Sequence, residues 1–255
     1  MGTSLMTSAA SLTDARRILE ERMLKKFINS LKQSPRNTPV FNPWWQTDLQ
    51  NDINGNGAEI RRKQLRQYLG ERIGSATLLL VGEALGYQGG HFSGIPMMSE
   101  RILLNGHIKK GILPQHVFST LPPRRTSRPE LKPNGFSEPT ATIVWEHIIR
   151  SDFDPRSFIL WNAFPWHPFK PNSGYLSNRT PTESELLTGA PILIDLIRMS
   201  GIDNIIAVGE KAYAVLKKQD IAANKVRHPA NGGAGKFRQQ FSRIFNGLKK
   251  KPGAP

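Results

Sequence analysis

Three side chains stand where enzymes tend to place reactive groups, just past short apolar runs. Glu83 follows Thr77–Gly82 (TLLLVG) and Asn162 follows Ser157–Trp161 (SFILW); a third run, Asn204–Gly209, leads into Glu210 and Lys211, and His228 follows a fourth, weaker strand candidate, Asn224–Arg227. A carboxylate or an imidazole in such a place can act as an acid, a base or a ligand. A primary amide offers a donor and an acceptor together, the pair needed to read the edge of a nucleobase. Glu83 and Asn162 have plainer readings as well. Glu83 could be a solvated loop carboxylate beside Gly86, Gly89 and Gly90, and Asn162 a turn or cap residue. His167, in LWNAFPWHPF, reads as a structural histidine of a Pro-rich aromatic loop rather than a ligand or base.

The stretch VRHPANGGAGKFRQQF, residues 226–241, resembles a nucleotide cradle at first sight. A phosphate-binding P-loop needs G-x-x-x-x-G-K-[ST]. Lys236 does follow Gly235, but Ala230 stands where the first glycine belongs and Phe237 where the magnesium-holding hydroxyl belongs. The nucleotide-hydrolysing reading is therefore excluded. A histidine, a small-residue turn and a basic helix start remain to be explained.

The apolar runs that lead into these residues are four to six residues long, uniform rather than alternating. Strands covered by helices on both faces have that pattern. Helical segments are predicted between them at 98–104, 140–150, 183–199, 210–217 and 236–248, with Thr182 and Glu185 spaced as a capping box and Pro191 inside the third segment. Strand–helix alternation predicts an α/β fold with a parallel sheet, and ligands of such sheets bind beyond the carboxyl ends of the strands. Ahead of the sheet, Ile18, Leu19, Met23, Leu24, Phe27, Ile28 and Leu31 predict one apolar helix face. Residues 33–59 read as a long packed loop and 60–69 as a short basic helix. Residues 1–12 are expected to be loose, 13–248 to form one domain with 105–139 as an inserted loop, and 249–255 to be a basic tail.

Lys and Arg outnumber Asp and Glu by 35 to 20, a formal charge of +15. Such an excess favours a polyanionic partner. The chain has no cysteine, which excludes disulfides, cysteine-ligated zinc and iron–sulphur clusters. No apolar run reaches the ~18 residues of a membrane span, and the start MGTSLMTSAASL lacks the basic end and apolar core of a secretion signal. The expectation is a soluble intracellular protein, monomeric and without membrane contact.

Five motifs in order resemble those of the uracil-DNA glycosylase superfamily. GEALG (82–86) looks like the first motif of GEAPG type, and SGIPMM (93–98) like the G-x-P-F element after it. ILWN (159–162) is similar to the strand ending in a base-reading Asn, NRTPTESE (178–185) to the N-R-x-P-x-x-x-E segment of the thermophile-type branch, and RHPA (227–230) to the closing H-P-S motif. The resemblance spans Thr77 to Phe245 and implies a three-layer α/β/α fold around a four-stranded parallel sheet. It implies excision of uracil or another deaminated base from DNA by a monofunctional glycosylase that leaves an abasic site and uses no metal or organic cofactor. By the same resemblance Glu83 and His228 are catalytic, Glu83 toward water or the cationic sugar and His228 toward the uracil O2. Asn162, Met97, Gly82, Ala84 and Gly86 bind the base. Ala230, Asn231, Gly232, Gly233, Lys236 and Arg238, with Arg243 beside them, face the DNA.

This chain departs from the family pattern at several places. Met97 replaces a stacking Phe, Gly86 a Tyr that excludes a 5-methyl group, Ala230 a phosphate-contacting Ser, and Asn231-Gly-Gly an apolar wedge. The cluster cysteines of the thermophile branch are absent. Two further readings stay open on the sequence: a DNA-damage-binding relative with weak or no catalysis, and an unrelated basic α/β protein.

Overall fold

The computed structural model describes residues 4–36, 38–151 and 154–249. In chain order its elements are α1 (Ser4–Ser30), β1 (Val40–Phe41), α2 (Gly57–Gly70), β2 (Leu78–Ala84), the single turns α3 (Gly90–Ser93) and α4 (Glu100–Leu103), and α5 (Pro139–Arg150). Then follow β3 (Phe158–Phe164), β4 (His167–Pro168), α6 (Glu183–Ser200), β5 (Asn204–Val208), α7 (Glu210–Lys218), β6 (Asn224–Val226) and α8 (Ala234–Lys249). Four strands form one sheet in the order β3-β2-β5-β6, every pair parallel. The uniform apolar runs are buried along their length, as a sheet covered on both faces requires. α6 packs on β3, α7 on β5, β2 and β3, and α8 on β6.

Strand lengths create a step at the carboxyl edge. Pairing of β2 with β5 ends at Val81↔Ala207, whereas β2 and β3 stay paired through Gly82↔Asn162 to Ala84↔Phe164. Glu83 and Asn162 therefore lie within strands rather than just after them, because the β2–β3 ladder continues beyond the apolar runs. On the β5 side the segment Gly82–Ala84 has no strand partner. The chain leaving β5 turns away at Gly209 (φ +98°), a left-handed conformation that favours glycine.

α1 starts at Ser4, inside the stretch expected to be loose, and only part of the expected stripe reaches the core. Leu24, Phe27, Ile28 and Leu31 are buried, while Ile18, Leu19 and Met23 are exposed. The helix contacts α2 and α6, and its buried side chains lie toward its carboxyl end. Residues 1–3 and 250–255 lie outside the described residues.

Two of the arginines behind the high net charge are interior. Arg72 donates to the carbonyls of Tyr68, His116, Val117, Pro155 and Phe158. Arg61 is paired with Asp52 at 2.7 Å, both side chains buried. The segment 105–139 is tied down in the same manner, since Glu100 accepts from the backbone N–H groups of Thr126 and Ser127 at 2.7 and 3.0 Å. α6 begins with the expected capping box on Thr182 and Glu185, and Glu185 also receives both nitrogens of Arg179 at 2.6 and 2.7 Å. Among the described residues no helix is long and apolar enough to cross a membrane.

Candidate functional site

The step in the sheet opens a cleft whose walls include Glu83, Gly209, Lys211, Arg227, His228 and Asn231. Glu83 comes from the unpartnered edge of β2, and its Oε1 lies 3.5 Å from Lys211 Nζ in the first turn of α7. His228 enters from the loop after β6. Its Nδ1 accepts the Ala230 backbone N–H at 3.1 Å, so in the neutral ring the proton sits on Nε2. Burial holds the His228 pKa below its ordinary value; the Glu83 charge pulls upward against that, and Arg227 adds to the lowering. At neutral pH His228 is thus an uncharged ring with one N–H to donate.

The glycine-rich stretch after His228 shapes this loop. A Cβ on Gly233 would lie 2.0 Å from the His228 carbonyl oxygen. Asn231 and Gly232 take φ values of +51° and +72° to bring Gly233 under that carbonyl. Gly209, at φ +98°, also lies close to His228: a Cβ there would come 3.2 Å from the His228 Cβ. The turn therefore holds a histidine and does not cradle a nucleotide. Gly233 is buried there, while Ala230, Asn231 and Gly232 are exposed, as is Lys236 in the first turn of α8. Arg238 is shared with an acid, its Nη2 lying 4.0 Å from Glu146 Oε2.

Asn162 belongs to a second cluster that meets the first at the Gly82–Glu83 peptide. Its side chain lies over Gly82, where a Cβ would come 2.6 Å from Asn162 Oδ1 and 3.3 Å from Met97 Sδ. Met97 is held at φ +48°, and its carbonyl accepts from Trp145 Nε1 at 3.2 Å. Asn162 is 2% exposed, yet its Nδ2 has no hydrogen-bond partner among the described residues. A buried amide donor without a partner costs roughly 1–3 kcal/mol, which makes it a donor waiting for an acceptor.

Beyond Ala84, at the end of β2, the loop is braced by Asn178, the first residue of the NRTPTESE motif, and by His167, through contacts that the sequence did not predict. A Cβ on Gly86 would meet the Asn178 side chain at 3.3 Å, and Asn178 Oδ1 accepts the Tyr87 N–H at 3.0 Å. Behind it His167 Nε2 donates to the Ser177 carbonyl at 2.8 Å, and its Nδ1 faces His91 Nδ1 at 2.9 Å. Burial, with His91 alongside, pushes the His167 pKa down to about 3. It is a neutral structural histidine, as its aromatic, Pro-rich setting predicts. Lys211 was visible only as a residue after an apolar run, and nothing in the local sequence pairs it with Glu83. An apolar groove between α6 and α7, lined by Leu186, Leu187, Ala190 and Val215, shares only Lys211 with the cleft.

Residues 71–249 match the family described as the Uracil DNA glycosylase superfamily. The chain belongs to the uracil DNA glycosylase superfamily. Its fold is that of the crystal structure of wild-type SMUG2 from Pedobacter heparinus, with a TM-score of 0.59, 16% identity, and coverage of 90% of this chain and 99% of that one. None of the curated proteins matches the chain. With no cysteine in its sequence, this superfamily member cannot hold the thermophile branch's iron–sulphur cluster.

Proposed function

We propose that the protein is a DNA glycosylase that hydrolyses the N-glycosidic bond of uracil, or of another deaminated base, in DNA. The observation that carries this is the meeting, at Gly82–Glu83, of a carboxylate, a neutral histidine N–H donor and a buried amide with an unused donor. In such a cleavage the C1′–N bond breaks with its electron pair going to the base. The sugar becomes cationic and the base anionic; water then adds to C1′ and loses a proton. Glu83 faces the cationic side and takes the water's proton or offsets the charge, while His228 Nε2–H donates to the base oxyanion.

Asn162 selects the base. Its Nδ2 gains a partner when a carbonyl oxygen such as uracil O4 arrives, whereas the amino group of cytosine meets it donor against donor. Leaving a buried polar group unpaired in this way can reject an analogue by about 10⁴–10⁵. Met97 supplies a thioether surface beside the amide, and the backbone amides at Ala84–Gly86 add donors to the oxyanion. The target base must leave the stack, at a cost of a few kcal/mol. Exposed Lys236 and the Ala230–Gly232 tip, next to His228 in the chain, hold the backbone of the DNA, with Arg238 as a second cation.

The test is incubation with labelled oligonucleotides containing uracil, hypoxanthine, xanthine or a thymine mismatch, followed by alkali, with Glu83→Gln, Asn162→Ala and His228→Ala beside the parent. Strand breaks with at least one base, reduced by on the order of 10²-fold or more in each variant, are expected. No abasic product from any base defeats the glycosylase reading, and undiminished cleavage by all three variants defeats the residue assignments.

A further inference from the structure

Lys211 is the one cation in direct contact with Glu83 among the described residues, at 3.5 Å. The cation and the acid come from separate elements, the first turn of α7 and the free edge of β2. Glu83 has a second electrostatic neighbour across the cleft in His228. A carboxylate beside an imidazole invites a proton: the pair can collapse into a carboxylate–imidazolium contact that neutralises the acid and charges the ring. Either change removes a group that the proposed reaction needs.

We propose that Lys211 is a positioning residue of this site, holding the Glu83 carboxylate toward the Gly209–Lys211 turn and sharing its charge, so that His228 stays a neutral donor beside it. The inference rests on the roles given above to Glu83 and His228. Three observations support it. The Lys211–Glu83 pair is half-buried, with side chains 46% and 32% exposed, so solvent screens it only in part. Glu210, the neighbouring acid on the same turn, is itself paired with Lys225 at 2.7 Å, and so does not compete for Lys211. His228 is closely approached by Gly209 at its Cβ and by Gly233 at its carbonyl oxygen, whereas the Glu83 carboxylate has Lys211 as its ion-pair partner.

The charged groups that face His228 are then Glu83 from β2, Glu210 and Lys211 from α7, Lys225 from β6, and Arg227 next to it in the chain. Removing Lys211 leaves the full Glu83 charge acting on His228 and takes away one nearby cation. Both changes favour the protonated ring.

The experiment is a histidine-resolved NMR titration of the full chain, with the His228 signal assigned by its loss in His228→Asn, run alongside single-turnover and steady-state kinetics. In Lys211→Met the His228 midpoint is expected to rise by roughly half to one pH unit, and kcat at neutral pH to fall several-fold with little change in KM. Lys211→Arg is expected to restore both, and Glu83→Gln to move the midpoint the other way. An unchanged or lower His228 midpoint in Lys211→Met overturns the inference, as does a rise in KM at constant kcat, which would make Lys211 a DNA contact. The titration does not depend on turnover. A parent protein that releases no base therefore defeats the proposed function while the His228 midpoints still decide the role of Lys211. Circular dichroism of each variant excludes unfolding as the source of a change.

Discussion

Adding one methyl group at Gly82 tests how the Gly82–Asn162–Met97 cluster is built. A Cβ there lies 2.6 Å from Asn162 Oδ1, about 0.8 Å inside ordinary contact, and 3.3 Å from Met97 Sδ. The thioether can give way, but Asn162 is buried and its backbone on β3 is paired with Gly82 on β2, so it has little room. Overpacking of this kind costs about 1–3 kcal/mol, and for a chain of this size each kcal/mol lowers the melting temperature by roughly 2–4 °C. Gly82→Ala is thus expected to be destabilising. The sign should change once the amide is gone. In Asn162→Ala the methyl meets no carboxamide, and a strand alanine is favoured over glycine by roughly 0.5–1 kcal/mol. Asn162→Ala alone is expected to cost little, because it deletes a buried donor that has no partner. The assay is urea unfolding of the parent, both single variants and the double variant, analysed as a double-mutant cycle. A coupling of about 1.5 kcal/mol or more is expected. Additive effects, or Gly82→Ala being harmless in the parent, would refute the packing of Asn162 over Gly82.

Other outcomes follow from the same geometry. Gly233→Ala drives a methyl into the His228 carbonyl at 2.0 Å, so base release should fall at least about tenfold with a loss of about 1–3 kcal/mol, while Gly235→Ala, with nothing near its Cβ, serves as a neutral or slightly stabilised control. His167 is held neutral with a folded pKa of about 3, against roughly 6.5 in the unfolded chain. Its contribution to stability is complete above about pH 6.5 and is lost as pH falls toward 3, on the order of several kcal/mol. Urea midpoints measured across that range should fall steeply in the parent and less steeply in His167→Gln, which keeps a donor and an acceptor without titrating. Lys236→Glu is expected to weaken DNA binding about equally for all sequences and to lower the salt slope by more than about one, as read by fluorescence anisotropy at several salt concentrations.

The sheet was legible because its strands are buried on both faces and carry uniform apolar runs, as in Leu78–Val81 and Phe158–Trp161. The places of Glu83 and Asn162 along those runs were legible for the same reason, whereas His228 follows the weaker β6, of which only Val226 is buried. Strand ends were not, since pairing beyond Gly82 is decided by the partner strand and not by hydropathy. The glycines at 232 and 233 announced a turn but not its purpose, which depends on a carbonyl five residues earlier in the chain. Net charge pointed to a polyanionic partner, although two of its arginines are interior, Arg61 paired with Asp52 and Arg72 held by backbone carbonyls. The pairings of Lys211 and Asn178 were not legible because their partners, Glu83 and Tyr87, lie on remote segments that only the fold brings together.

The most direct measurement is chromatographic detection of free base and abasic DNA after a single-turnover incubation with a uracil-containing oligonucleotide, with Glu83→Gln in parallel. Release of free uracil in step with abasic sites by the parent, and its loss in Glu83→Gln, is the predicted result. Binding of the uracil-containing strand by the parent with no free base from it, or equal release by parent and variant, would contradict the account.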